Sequence, residues 1–80
     1  MTQTIGDRIK EARERAGFTQ QQLADRLGIR ASGRQRVCGW ETGLRTPRRD
    51  TLEKIARATG VTPAWIAYGA EPQNEKQPPP

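Results

Sequence analysis

Eighty residues, 32% of them hydrophobic, make one small domain with a compact, economical core. The absence of histidine and the single cysteine, Cys38, leave almost nothing to build a zinc site and no intramolecular disulfide, which suits a reducing cytosol. The net charge is +5, the first residues MTQTIGDRIK carry no apolar core of signal-peptide length, and no apolar run approaches the roughly 20 residues of a membrane span.

The chain reads as five short helices. In the first, Ile5, Ile9, Ala12 and Ala16 form an apolar stripe at helical spacing, and Gly17 stops it. In FTQQQLADRLG, Thr19 and Gln22 form a capping-box pattern, and Phe18 and Leu23 occupy the two positions of a hydrophobic staple. Leu23 and Leu27 face inward, and Gly28 ends this second helix. Val37, Trp40 and Leu44 form a third apolar set, interrupted by Gly43. In DTLEKIARATG, Asp50 and Glu53 suggest a cap, Leu52, Ile55 and Ala56 a buried stripe, and Gly60 a stop. In VTPAWIAYG, Thr62 is the N-cap, Pro63 suits the first helical position, Val61 and Ile66 repeat the staple, and Gly69 ends the helix. The helical domain is expected over residues 1–69. The polar, proline-rich residues 70–80 are expected to be a disordered tail or linker. Phe18, Trp40 and Trp65 fall at staple or stripe positions and read as core anchors.

The charge is concentrated. Residues 30–49 hold Arg30, Arg34, Arg36, Arg45, Arg48 and Arg49 against one acid, Glu41, so this segment carries the whole net +5 and the rest balances. A basic segment on a neutral body is the electrostatic footprint of a nucleic-acid binder, and arginine suits two-pronged bonding to phosphate or guanine. The competing reading is a solvated face.

The ordered segments IGDRIKEARERAGFTQQQLADRLGI at 5–29, VCGWETG at 37–43, TPRRDTLEKIARATGV at 46–61 and TPAWIAYG at 62–69 resemble the phage-repressor and Cro-type helix-turn-helix domains, over about residues 4–69. The resemblance implies a compact all-α, five-helix domain. Its second and third helices form a helix-turn-helix that reads operator DNA through the major groove, usually as a dimer, to regulate transcription. It also implies that Gln20 reaches a phosphate, and that Arg45 and Arg48 grip the backbone. Thr42 would offer its N–H and hydroxyl to phosphate, and Glu41 would be structural, holding an arginine or a backbone N–H.

Two departures stand out. A helix-turn-helix connector is about 3–4 residues, and between Ile29 and Val37 this chain has roughly three residues beyond that pattern. The extra residues lengthen the turn, the start of the third helix, or both. Keeping Val37 and Trp40 in the core makes Arg34, Gln35 and Gly39 the base-reading positions; the other register would bury Arg34. Arg suits guanine and Gln adenine, while Arg30 and Arg36 are expected on phosphates, with Ser32 capping the third helix and assigned to the same phosphate group. The second departure is Gly39, which offers no side chain where the family carries a long polar one, and which weakens the helix. Cys38 is expected to be small and partly buried rather than a redox switch.

The expected function is therefore a sequence-specific double-stranded DNA-binding regulator, a cytoplasmic repressor acting as a homodimer, with Trp65, Ile66 and Tyr68 in the dimer contact. Alternatives are an antitoxin-like DNA-binding and protein-interaction module, or a non-specific nucleic-acid binder whose affinity follows salt alone. No cofactor, metal or enzymatic activity is expected, because the acids sit at ordinary helix-surface or cap spacings.

Overall fold

The computed structural model describes residues 3–69; the tail expected at 70–80 lies outside the described residues. Five helices follow one another: α1 Ile5–Ala16, α2 Gln20–Arg26, α3 Gly33–Thr42, α4 Arg49–Thr59 and α5 Pro63–Tyr68, with no strand among the described residues. The all-α, five-helix architecture matches the expectation from the stripes and stops.

Local chemistry sets most of the boundaries. Thr19 and Gln22 close a reciprocal capping box at α2, and Thr62 accepts from the Trp65 N–H ahead of Pro63 at α5. A second box, between Thr4 and Asp7, starts α1. The start of α4 corrects the sequence reading. Arg48, not Asp50, holds the N-cap position and makes no side-chain cap bond; Asp50 lies inside the first turn. Gly17, Gly43, Gly60 and Gly69 hold left-handed C-cap conformations.

The core joins all five helices through Ile9, Ala12, Leu23, Ala24, Val37, Trp40, Ile55, Ala56, Trp65 and Ile66. Fully burying one such aliphatic side chain stabilises the fold by about 1.5–3 kcal/mol. Leu44 does not join them. Gly43, at φ 87°, turns the chain out of α3, and Leu44 is left 83% exposed.

The chain between α2 and α3 covers residues 27–32, so the connector is longer than a standard turn. The helix that follows starts early enough to put Arg34, Gln35 and Arg36 in its first turn. Ser32 occupies the N-cap position but makes no side-chain cap bond and is left-handed at φ 55°. That conformation costs a non-glycine residue about 1–2 kcal/mol, so the turn carries strain instead of the expected cap. One residue on, a Cβ at Gly33 would lie 2.6 Å from the Ala24 Cβ, so glycine is what lets α3 approach α2 here. Packing thus compensates for the low helix propensity of Gly33.

A single arginine ties the ends together. Arg8 falls in the apolar sector of α1 and is buried. Its Nε donates to the Ile66 carbonyl at 2.7 Å and its Nη2 to the Ala67 carbonyl at 3.3 Å, serving the last carbonyls of α5.

Candidate nucleic-acid interface

Successive residues of a helix turn by about 100°, which separates α3 into two faces. Val37 and Trp40 point into the core, as the Trp40 register requires. Arg34, Gln35, Cys38 and Thr42 occupy the outward face and are exposed, and Arg36 is exposed at its flank. Cys38 is thus more open than its expected partly buried position.

The other arginines lie in the segments that flank α3 in the chain. Arg30 and Ser32 are exposed in the connector before α3, and Arg45 and Arg48 are exposed in the segment between α3 and α4. Among the described residues none of Arg30, Arg34, Arg36, Arg45, Arg48 and Arg49 forms an ion pair. Their charge is uncompensated within the fold.

The one acid of the segment is turned inward. The Glu41 side chain is 4% exposed and faces Arg13, itself 11% exposed. Arg13 Nε donates to Glu41 Oε2 at 2.6 Å and Nη2 to Oε1 at 3.3 Å, a two-pronged pairing. Arg13 Nη1 donates to the Phe18 carbonyl at 2.8 Å, and Gln20 Nε2 donates to Glu41 Oε1 at 3.0 Å. The network joins α1, α2 and α3 and removes from the surface the one acid of residues 30–49. Glu41 is structural, as its sequence position implied, and the arginine it holds is Arg13. No sequence signal singled out that partner.

Several expected site residues are placed less simply. Gln20 turns its amide toward Glu41, leaving one N–H for another acceptor. Thr42 is exposed, and its hydroxyl donates to the Cys38 carbonyl at 2.9 Å within α3. Gly39 is buried, and the stem of Arg45 lies across it. Of the expected dimer residues, Ile66 is fully buried and Trp65 nearly so, both in the core; only Tyr68, 84% exposed, offers a surface. Tyr68 borders a shallow groove between α4 and α5 with Leu52, Pro63, Ala64 and Ala67. No helix among the described residues is long and apolar enough to cross a membrane.

A helix-turn-helix family model matches residues 9–66. Curated relatives include the HTH-type transcriptional regulator ImmR of Bacillus subtilis, 35% identical over 79% of this chain and 47% of that protein. The SPbeta prophage-derived HTH-type transcriptional regulator YonR, also of Bacillus subtilis, is 34% identical over 86% of this chain and 61% of its own length. The HTH-type transcriptional regulator DicA of Escherichia coli is 35% identical over 96% of this chain and 53% of its own length. The chain thus spans about half the length of the curated relatives it matches. No solved structure matches it significantly.

Proposed function

The chain belongs to the helix-turn-helix family, and on that premise we propose that it is a sequence-specific double-stranded DNA-binding regulator of transcription, a non-enzymatic repressor acting in the cytoplasm. The observation that carries the reading is the outward face of α3. It gathers exposed, unpaired arginines around Gln35, while Glu41, the one acid of the segment, is folded away against Arg13. Such a surface attracts phosphate at long range and presents hydrogen-bond donors at short range.

In this reading α2 lies across the backbone and α3 enters the major groove. Arg34 donates to guanine O6 and N7, and Gln35 pairs with adenine N6 and N7. Arg30, Arg36 and Arg48 hold phosphates, joined by Ser32 in the connector and by the remaining N–H of Gln20. Two copies bind together with their α3 helices about 34 Å apart, one turn of DNA, through the exposed surface at Tyr68. Three of the relatives are named as HTH-type transcriptional regulators, which supports the regulatory role.

The test compares two alanine variants on a duplex of the preferred sequence and on its single-base variants. Arg34→Ala is expected to cost about 1–3 kcal/mol of affinity and to relax preference at one base pair. Arg30→Ala is expected to weaken every duplex alike and to lower the salt slope by about one. If Arg34→Ala also weakens every duplex alike, Arg34 is a phosphate contact and the assignment of base reading to it is wrong.

A further inference from the structure

We propose that Arg45, delivered from the segment after α3, is a base-reading residue that fills the groove-facing position Gly39 leaves empty. The proposal rests on the reading of α3 as the helix that enters the major groove.

Gly39 lies one helical turn beyond Gln35, and residues at that spacing share a face. It is the one position along that edge of α3 with no side chain of its own. A Cβ built there would lie 3.1 Å from Arg45 Cδ, 3.3 Å from Cγ and 3.6 Å from Nε. Three successive atoms of the Arg45 side chain therefore run across the seat a residue-39 side chain would take.

The approach is held by the backbone. Gly43 turns the chain in the left-handed conformation, and the Arg45 N–H donates back to the Gly39 carbonyl at 3.1 Å. The aliphatic stem is thus laid on the helix while the residue as a whole stays exposed, and its guanidinium has no acidic partner among the described residues. An arginine gripping a phosphate from a loop needs no such seat; an extended, mobile side chain does as well. A seated stem carries a planar two-pronged donor beside Gln35 and surrenders less freedom on binding. The glycine, unfavourable inside a helix, has its physical reason here: any Cβ would press on the stem.

The experiment measures equilibrium affinity of the 80-residue chain for its selected duplex and for all single-base substitutions of it, with circular dichroism melts confirming that each variant folds. Arg45→Ala is expected to lose roughly 5- to 150-fold on the selected duplex, and much less on duplexes already substituted at one G·C pair. Arg45→Lys keeps the charge but not the fork, and is expected to lose the same discrimination. Gly39→Leu displaces the stem and is expected to erase preference at that same pair, with no further loss when combined with Arg45→Ala. Equal loss by Arg45→Ala on every duplex makes Arg45 a phosphate contact and overturns the proposal. So does a Gly39→Leu variant that keeps the preference. If the unaltered chain prefers no base at any position, α3 does not read sequence and both readings fall; a preference that Arg45→Ala retains overturns only the role of Arg45.

Discussion

Glu41→Ala is expected to destabilise the domain by about 3 kcal/mol, the low end for removing one partner of a buried ion pair. The low end applies because Arg13 keeps its bond to the Phe18 carbonyl and a distant contact with Glu14 at 3.9 Å. What is lost is the acceptor for three hydrogen bonds, two from Arg13 and one from Gln20. The Arg13 charge is then left nearly enclosed without its counter-ion. In a domain of this size each kcal/mol shifts the melting temperature by about 4–8 °C, so the melt is expected to fall by roughly 12–24 °C. Glu41→Gln keeps an acceptor but not the charge and is expected to fall between the two. A loss for Glu41→Ala below about 0.5 kcal/mol in urea titrations, the size of an exposed pair, would contradict this role. The variant also has a functional side, because Glu41 ties α3 to α1 and α2 and thereby sets how Arg34 and Gln35 are presented.

A second large effect is expected at Gly6, in the first turn of α1. A Cβ there would stand 2.5 Å from the Trp40 carbonyl oxygen and 2.6 Å from that of Glu41. Both are backbone atoms of α3, and neither can rotate aside. Gly6→Ala must therefore push α1 off α3. The gain in helix propensity, about 1 kcal/mol, offsets part of the overpacking, which leaves an expected net loss of about 2 kcal/mol. Gly39→Ala supplies the contrast. Its obstacle is the flexible stem of an exposed arginine, so stability is expected to hold or rise. Chemical denaturation of both variants checks the pair: a Gly6→Ala variant as stable as the unaltered chain would contradict the close α1–α3 approach.

Helix count and most ends were legible in the sequence because their causes are local. Thr19–Gln22 and Thr62–Pro63 act within one turn, and the glycine stops act at single residues. The misreadings arose where a distant or conformational cause decided. Leu44 has the right spacing for the α3 stripe, but the left-handed Gly43 breaks the helical phase before it. Arg8 sits among Ile5, Ile9 and Ala12, and nothing local announces its partners, the carbonyls of Ile66 and Ala67 near the end of α5. The Thr42 hydroxyl donates within its own helix, a bond that residue spacing does not reveal. Trp65 and Ile66 lie in a core drawn from all five helices, which the short α5 pattern by itself does not reveal. At the candidate interface, composition located the arginines and the Val37–Trp40 register placed Arg34 and Gln35 outward. The relation of Gly39 to Arg45 was not legible, because it depends on how the segment after α3 folds back.

The most direct test of the account is selection of the 80-residue chain against a random double-stranded DNA library at moderate salt. Enrichment of a defined motif is expected, its letters including a guanine and an adjacent adenine, the partners of Arg34 and Gln35. An unenriched pool, with bulk affinity that collapses as salt rises, would contradict it and leave a binder that works through charge alone.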